Sequence, residues 1–494
     1  MRTVRCPAVP DVCVVGSGPN GLAAAVVLAR AGLEVEVFEG ADSPGGGCRT
    51  AELTLPGFRH DVCAAVHPLL AASPFFAEID LVARGVHLKT PPAAFAHPLG
   101  GDRAAAVQDS VERTAEQLGA DARTYRSVVG RLVADLDHLL PALLGPIRSI
   151  PEHPVSVARF ALRGLRPASR LADRFGTEEG RALLAGACAH AMLPLSAPLS
   201  AAFGLVLVAL AHRVGWPVVA GGSGRIVDAL CAELGALGGQ VHTGAWVTHL
   251  DELPRSKAIL LDVSPRQLLD LAGDRIDGRR RRALGRFGYG PGVCKVDWSL
   301  SGPVPWEAEA CRAAGTVHVG GTYEEVARSE AAVHASRHPE QPFVLVAQPG
   351  VVDPERAPAG AHTLWGYCHV PPGSPVDMTD AIEAQIERFA PGFRDLILAR
   401  STMTAVDMEA YNPNYVGGHI NGGAAGLRRT LVGPTMRWNP YRTPIRGVYL
   451  CSASTPPGGG VHGMCGLWAA QRALADLGHP LGGERSGPPA PARA

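Results

Sequence analysis

Two glycine-rich stretches, one near each end of the 494-residue chain, have the composition of loops that bind a nucleotide. Glycine lets a backbone approach a ligand closely, and a helix start offers free N–H groups and a positive dipole end to phosphates. The glycines are Gly16, Gly18 and Gly21 in the first stretch, and Gly458, Gly459, Gly460 and Gly463 in the second. Both stretches are therefore candidate binding loops.

The GxGxxG spacing of the first stretch assigns a different task to each glycine. Gly16 suits a tight turn, Gly18 lets a pyrophosphate approach the backbone, and Gly21 lets a helix pack closely on a strand. Ser17 lies inside the same loop and is a further candidate contact. This pattern is weak by itself, so its weight depends on the elements around it.

Those elements fit a dinucleotide-binding unit. The apolar run Val12–Val15 predicts a buried parallel strand, and the alanine-rich segment after the loop predicts a helix that ends at Gly32. A second strand follows and ends in Glu39, where a carboxylate can accept hydrogen bonds from adenosine ribose hydroxyls. Strand, loop, helix, strand and terminal acid together predict an α/β fold with a Rossmann-like domain.

Composition excludes several other classes of protein. The 46 basic residues balance the 46 acidic ones, so no global field favours nucleic acid. None of the eleven cysteines shares a CxxC spacing, which argues against a redox dithiol or a zinc site, and we expect no metal. The start lacks a signal-peptide core and no apolar run is long enough to span a bilayer, so we expect a cytoplasmic protein.

Gly45 and Gly46 follow Glu39 at short range and bring the backbone against the same dinucleotide a second time. This arrangement resembles the extended signature of flavoproteins that include amine oxidases and phytoene desaturases. The segments "KVDWSLSGPVPW" (295–306) and "NPNYVGGHINGG" (412–423) extend the resemblance. The whole chain resembles FAD-dependent oxidoreductases of the phytoene desaturase-like superfamily, in the branch related to pyridine nucleotide-disulfide oxidoreductase domain-containing protein 2.

The resemblance implies FAD as cofactor and a discontinuous domain organisation. It implies a glutathione reductase/amine oxidase-like FAD-binding domain interleaved with a mixed α+β substrate domain. The predicted segments are 1–72, 216–290 and 440–480 for the FAD-binding domain, 73–215 and 291–439 for the substrate domain, and 481–494 for a disordered tail. Val247 is the position whose backbone would contact the adenine, and the second glycine loop would hold the flavin side, where its helix dipole can stabilise negative charge.

Two departures from the relatives concern the site. His419 stands where relatives commonly carry an acid, and Leu467–Trp468 replaces a pair that is often polar or tyrosine-containing. The first removes support for an acid role at that position, and the second could reshape the pocket near the flavin ring. The cysteines give no support to a disulfide oxidoreductase reaction.

The segment 182–211 carries no Asp, Glu, Lys or Arg, and Pro194 and Pro198 interrupt it. It is either packed core of the substrate domain or the wall of an apolar tunnel or membrane dip. The resemblance to enzymes with lipidic substrates favours a tunnel, whereas the missing basic flank counts against membrane docking. A hydrophobic small molecule is therefore the expected substrate.

His462, inside the second glycine loop, and His67, after the first cofactor segment, are the candidate catalytic residues, and a structural hydrogen bond is the alternative for His462. The preferred function is a dehydrogenase or desaturase that transfers a hydride to flavin. A flavin-dependent isomerase or saturase, an amine-oxidase-like activity, and a regulatory or partner-binding flavoprotein stay as alternatives. The sequence leaves open the electron acceptor, the direction of the redox reaction, a homo-oligomer and peripheral membrane contact.

Overall fold

Two β-sheets organise the chain, one of five parallel strands and one of seven strands of mixed direction. The computed structural model describes residues 9–145, 151–426, 433–435 and 437–479, so the predicted disordered tail lies outside the described residues. No helix in these ranges is both long and apolar enough to cross a membrane.

The strands are β1 (Val12–Val15), β2 (Val35–Phe38), β3 (Thr50–Ala51), β4 (His60–Asp61), β5 (Leu88–Lys89), β6 (Ala93–Gly100), β7 (Arg103–Val107), β8 (Val218–Val219), β9 (Gln240–His242), β10 (Ala258–Leu261), β11 (Gly292–Leu300), β12 (Ala314–Val319), β13 (Val344–Ala347), β14 (His362–Val370), β15 (Ile397–Met403) and β16 (Val448–Leu450).

The α-helices are α1 (Pro19–Arg30), α2 (Pro68–Ala71), α3 (Pro74–Ala77), α4 (Val111–Gln117), α5 (Ala122–Tyr125), α6 (Arg131–Leu143), α7 (Pro154–Gly164), α8 (Ala168–Ala172), α9 (Glu178–Ala189), α10 (Ser200–Val214), α11 (Gly224–Ala236), α12 (Pro265–Ala272), α13 (Gly278–Gly285), α14 (Glu309–Arg312), α15 (Tyr323–His334), α16 (Thr379–Phe389), α17 (Ala405–Tyr411) and α18 (Met464–Asp476).

The five-stranded sheet runs in the order β16-β10-β1-β2-β9, with every neighbouring pair parallel. Its short strands are apolar because helices cover both faces, as parallel sheets require. The sheet takes strands from residues 12–38, 240–261 and 448–450, so three distant parts of the chain build one layer. The predicted Rossmann-like α/β fold is confirmed, while the exact domain boundaries stay a prediction.

The seven-stranded sheet runs in the order β15-β11-β14-β13-β12-β6-β7. One face packs against a helical layer that includes α9 and α10, and the other face packs against α16. In the antiparallel pair β11–β14, Lys295 lies opposite Tyr367 and Asp297 lies opposite Trp365. These four residues therefore share the face that meets the helical layer.

Glycine and proline end two segments of regular structure. The segment 240–250 pairs only over β9 and then turns at Gly244, whose φ is +64°. The charge-free segment 182–211 forms most of α9 and most of α10, joined by the turn that contains Pro194 and Pro198, as the two prolines predict. A regular element accommodates neither a glycine with positive φ nor an internal proline.

Candidate functional site

The first glycine loop connects β1 to α1 and has no room for side chains. Gly16 has a φ of +94°, and a Cβ atom on Gly21 would lie 2.2 Å from the Gly16 carbonyl oxygen. Gly18 forms the N-cap of α1 and has no side chain of its own to cap that helix end, while Asp262 accepts a hydrogen bond from the Gly21 N–H in the first turn. The structure thus supplies a bare backbone at the N-terminus of a helix, which suits a pyrophosphate.

The second glycine pair packs directly on this loop. The Gly45 N–H donates to the Ser17 carbonyl oxygen at 3.1 Å, and a Cβ atom on Gly46 would lie 3.2 Å from the Gly18 Cα. Gly45 has a φ of +130° and Gly46 a φ of +53°, conformations that favour glycine. The structure therefore brings together the two N-terminal glycine motifs that the sequence analysis assigned to one ligand.

Glu39 lies at the end of β2, against the same loop. Its Oε2 accepts hydrogen bonds from the Ser17 N–H at 2.9 Å and the Ser17 hydroxyl at 2.6 Å, and its Oε1 accepts from the Ala41 N–H at 3.0 Å. Ser17 is fully buried and holds the carboxylate in place. This position agrees with the predicted task of Glu39 toward a ribose, which stays a prediction.

Arg49 is a cation at this site that the sequence analysis did not select. Its guanidinium lies 3.4 Å from Glu39, donates to the Ser43 carbonyl at 2.7 Å and donates to the Tyr411 hydroxyl at 3.2 Å. Tyr411 in turn donates to the Gly46 carbonyl at 3.1 Å. A half-buried arginine fixed beside glycine loops offers a positive charge to a phosphate.

The second glycine loop lies between β16 and α18. Gly458, Gly460 and Gly463 have φ values of +117°, +120° and +68°. A Cβ atom on Gly460 would lie 2.4 Å from Leu69, and one on Gly463 would lie 2.5 Å from Phe75. A Cβ atom on Gly459 would meet the Asn421 carbonyl oxygen at 3.0 Å, whereas Gly458 has open space. These glycines permit tight packing and leave one bare position.

The helices that follow the two loops pack against each other. A Cβ atom on Gly466 of α18 would lie 2.0 Å from the Asn20 carbonyl oxygen of α1, so the two backbones touch. The strands before both loops, β16 and β1, flank β10 in one parallel sheet. Both loops therefore start at the carboxyl ends of the parallel strands. The glycine turns from the two ends of the chain converge there. This geometry fits a long dinucleotide such as FAD.

His462 is buried inside the second loop and holds its shape. Its Nδ1 accepts a hydrogen bond from the Met464 N–H at 3.0 Å, so its Nε2–H donates to the Gly458 carbonyl at 3.1 Å. Burial lowers the pKa of His462 to about 4, which keeps the ring neutral. These contacts favour the structural alternative, and a catalytic task for His462 stays a prediction.

His67 is also buried and bonded to the protein. Its Nε2 lies 2.7 Å from the Ser223 hydroxyl, and the Ser223 N–H donates to Asp61 at 2.7 Å. Burial lowers the pKa of His67 to about 4. The ring therefore belongs to a polar network that joins β4 to the start of α11, and its predicted catalytic task has no contact that supports it.

Val247 lies in the loop after β9, close to Glu39. The Ala245 N–H donates to the Glu39 carbonyl at 2.8 Å, and the Trp246 ring covers Gly40. Val247 itself is half-buried and packs on the core behind the sheet. The structure thus places it beside the predicted ribose contact, and its task toward an adenine stays a prediction.

Asp262 follows β10 and lies beneath the first loop, a residue that sequence reasoning did not select. Its Oδ2 accepts from the Gly21 N–H at 3.0 Å, and a Cβ atom on Gly18 would lie 2.6 Å from the same oxygen. Burial raises the pKa of Asp262 to about 7, and the negative charge of Glu39 adds to this rise.

Lys295 and Asp297 form an ion pair on the face of the seven-stranded sheet, and both side chains are only 1% exposed. The Lys295 ammonium lies 5.7 Å from the centre of the Trp365 ring. Burial raises the pKa of Asp297 to about 6 despite the lysine. A lysine and an aspartate two residues apart in an otherwise apolar strand are the sequence signal that would have revealed this pair.

Several buried polar atoms around this pair lack a hydrogen-bond partner. They are the Trp365 Nε1, the Asp297 Oδ1 and the His60 Nδ1, and the last two lie 3.6 Å apart. An unsatisfied buried polar atom costs about 1–3 kcal/mol, so such atoms tend to be retained where a ligand or water completes them. On this face they are candidate contacts for a ligand or a bound water.

Apolar and aromatic side chains surround the pair. Trp365 and Tyr367 meet edge to face with ring centres 5.3 Å apart, in the same core as Tyr415 and the charge-free segments of α9 and α10. The Tyr415 hydroxyl lies 2.3 Å from where a Cβ atom on Gly47 would be, so this core reaches the glycine loops. Within the described ranges, no three ligating side chains converge on a metal position.

His419, which stands where relatives commonly carry an acid, has a structural role. Its Nδ1 lies 2.8 Å from the Pro291 carbonyl oxygen, and the ring packs against Gly290. His419 is 1% exposed. It therefore ties the segment after α17 to the start of β11, which is the strand that carries Lys295.

Trp468, the second residue of the Leu467–Trp468 pair, joins α18 to the residue that follows α6. Its indole N–H donates to the Leu144 carbonyl at 2.8 Å. Leu467 and Trp468 both pack, partly buried, on the core beneath the parallel sheet.

Comparisons with known proteins agree with this architecture. Residues 14–79 match the NAD(P)-binding Rossmann-like domain family. The chain is homologous to pyridine nucleotide-disulfide oxidoreductase domain-containing protein 2 from Rattus norvegicus, with 24% identity over 94% of each chain. A shorter stretch is 30% identical to a limonene dehydrogenase polypeptide from Castellaniella defragrans, over 27% of this chain and 25% of that protein.

Cyclohexylamine oxidase from Brevibacterium oxydans has a similar structure, with a TM-score of 0.60 and 15% identity, covering 95% of this chain and all of that one. At such low identity the likeness shows a shared fold. The resemblance inferred from the sequence is confirmed, and the chain has the fold of flavin-type oxidoreductases.

Proposed function

We propose that this protein is an FAD-dependent oxidoreductase that takes a hydride from a hydrophobic small molecule, as a dehydrogenase or desaturase. The observation that carries the proposal is the convergence of two glycine loops beside a buried, largely apolar sheet face that carries the Lys295–Asp297 ion pair. The similarity to the limonene dehydrogenase polypeptide, whose name indicates a hydrocarbon substrate, supports an apolar substrate.

Different loops at the parallel sheet would bind different parts of the cofactor. Gly16, Gly18 and Gly46 would take the pyrophosphate, with the charge of Arg49 at the rim and Glu39 toward the ribose. The loop around Gly458 would take the flavin end. Bound FAD supplies a hydride acceptor.

The face of the seven-stranded sheet would take the substrate. The rings of Trp365, Tyr367 and Tyr415 and the helices α9 and α10 bury apolar surface, which favours a hydrophobic ligand and excludes water. The Lys295 Nζ places one fixed positive charge on this face, held by Asp297. The apolar face suits a neutral substrate. The fixed charge of Lys295 can stabilise negative charge that develops on the substrate during oxidation.

The ion pair that Asp297 forms with Lys295 argues against an amine-oxidase-like activity. A free carboxylate would favour an ammonium substrate, and Asp297 is not free because it already pairs with Lys295. A second cation beside Lys295 would be repelled in a buried site. The alternatives of an isomerase or saturase and of a regulatory flavoprotein have no contact that favours them.

The first test is a spectrum of the purified full-length protein, which we expect to show bound oxidised flavin. Gly21→Ala should lose most of it, because the new Cβ atom would lie 2.2 Å from the Gly16 carbonyl oxygen. Gly278→Ala is the control, because no atom lies within 4 Å of the new methyl group there. Circular dichroism of both variants separates lost flavin from lost folding.

The second test is an anaerobic screen of the flavin-loaded protein with limonene, a carotenoid precursor, putrescine and cyclohexylamine. Bleaching of the flavin by either hydrocarbon is the expected result. Bleaching by an amine alone would replace this proposal with an amine oxidase. Reduction only by NAD(P)H, followed by reoxidation with an alkene, would favour a saturase. A folded protein that never binds FAD would contradict every flavin-dependent function.

A further inference from the structure

Asp262 occupies the centre of the first glycine loop. Its Oδ2 accepts from the Gly21 N–H at 3.0 Å, and its Cβ lies 3.2 Å from where a Cβ atom on Gly16 would be. A Cβ atom on Gly18 would lie 2.6 Å from Oδ2. The carboxyl group therefore fills the space between the three glycines of the motif, on the side of the sheet.

The loop that holds this carboxyl group is also the proposed phosphate site. A phosphate bound to the start of α1 carries negative charge within a few ångströms of Asp262, and like charges at about 4–6 Å disfavour ionisation. An ionised carboxylate would also cancel part of the attraction that the helix N-terminus exerts on an anion. A charged Asp262 and a bound pyrophosphate thus oppose each other.

The Gly21 N–H lowers the pKa of Asp262 in part, but the other groups that face this carboxyl group do not add to that effect. Glu39, from the end of β2, adds a second negative charge, while Arg49 lies at the rim of the loop, 3.4 Å from Glu39. Cys451, which follows β16, is a buried thiol whose pKa is raised by burial and by Asp262. Asn414 contributes only a neutral amide, which donates to the Asp262 carbonyl at 3.2 Å.

We propose that Asp262 is a cofactor-binding residue that acts as a neutral acid, so that binding of FAD takes up a proton from solvent. This inference rests on the proposed function, because it requires FAD in the first glycine loop. The proton forms an O–H bond at Oδ1, while Oδ2 keeps the Gly21 N–H as its donor. The neutral acid removes the repulsion and offers a hydrogen-bond donor in the phosphate site.

The pKa of Asp262, raised by burial to about 7, means that the uptake falls in an accessible range. Above that range, each pH unit should weaken FAD binding by about tenfold, since one proton must be supplied for each molecule bound. FAD keeps a constant charge between pH 6.5 and 8.5 because its pyrophosphate diester is fully ionised. The pH dependence therefore reports on the protein.

The experiment is calorimetric titration of FAD into the deflavinated full-length protein at pH 8, in HEPES and in Tris buffer. The difference in heat between the buffers gives the number of protons taken up, and fluorescence titrations from pH 6.5 to 8.5 give the affinity. Asp262→Asn should bind FAD without proton uptake and without pH dependence, because an amide is neutral at every pH. Asp262→Ser is the second variant, in case asparagine disturbs folding.

Asp270→Asn is the matched control, because Asp270 is exposed on α12 and the change removes the same charge. This control should keep the proton uptake of the unmodified protein. FAD binding with no proton uptake, or uptake that persists in both Asp262 variants, would overturn this inference and leave the proposed function intact. Absence of FAD binding at every pH would overturn both.

Discussion

At the scale of single residues, buried charges are the clearest mark of function in this chain. Lys295 and Asp297 are only 1% exposed, Asp262 is half-buried beneath the first glycine loop, and burial raises the pKa of both carboxyl groups. Burying charge is unfavourable unless the charge is paired or protonated. Chains retain such residues where a ligand or a reaction uses them, and here they lie at the two ends of the proposed site.

The ion pair gives a prediction with its own pH signature. Lys295→Met should lower the free energy of unfolding by about 3–5 kcal/mol at pH 8, because it leaves Asp297 buried and unpaired. The loss should shrink at pH 5, where Asp297 takes up a proton. Replacing both residues, Lys295→Met with Asp297→Leu, should recover much of the stability. Urea unfolding at both pH values measures these effects.

Lys257→Met is the control for that series. Lys257 pairs with Asp11 at 2.7 Å but is 61% exposed, so its loss should cost no more than about 1 kcal/mol. If the two single variants lost equal stability at pH 8, the pair on the sheet face would not be desolvated.

At the scale of elements, the contact between α18 and α1 holds the two loops together. Gly466→Ala should push the helices apart, because its Cβ atom would lie 2.0 Å from the Asn20 carbonyl oxygen. We expect FAD affinity to fall at least tenfold and the protein to lose about 1–3 kcal/mol of stability through overpacking. Fluorescence titration with FAD and thermal unfolding measure the two effects.

Gly235→Ala is the matched control for this helix contact. Gly235 lies within α11 and a Cβ atom there would meet nothing within 4 Å. Alanine is the better helix former by about 1 kcal/mol, so this variant should be as stable as the unmodified protein or more so. An undiminished FAD affinity in Gly466→Ala would show that the loops do not depend on this contact.

At the scale of the whole molecule, buried neutral histidines predict loss of stability in acid. Burial lowers the pKa values of His60, His67, His97, His212 and His462 to about 4, against 6.5 for an exposed histidine. The unfolded chain therefore binds more protons between these values, so stability is present above pH 6.5 and falls as pH approaches 4. Each ring contributes about 2 kcal/mol of this loss at pH 4.5.

The two buried carboxyl groups act in the opposite direction. Asp262 and Asp297 have raised pKa values, so their protonation in the folded state relieves an unfavourable charge as pH falls below 7 and 6. Five histidines outweigh two aspartates, and we expect the thermal midpoint to fall steeply below about pH 5.5. Calorimetry at constant ionic strength from pH 7.5 to 4.5 tests this. A flat profile would mean that the rings are hydrated in solution.

The sequence by itself predicted the N-terminal part of the proposed cofactor site. The GxGxxG loop, Ser17, Glu39 and the pair Gly45 and Gly46 are local features, because each follows from the conformation of a few consecutive residues. A glycine with positive φ or a strand that ends in an acid can be identified from neighbours in the chain. The parallel sheet and the flavoprotein resemblance followed from the same signals.

Only the tertiary structure decided the rest of the site. Asp262 and Arg49 join the proposed site because segments far apart in sequence pack together, and the spacing along the chain carries no record of that packing. His462 and His67 are residue types that catalyse proton transfer, yet His462 uses both ring nitrogens to hold its loop, and the Nε2 of His67 bonds to Ser223. Long-range packing determines which polar groups are satisfied, and therefore which remain for chemistry.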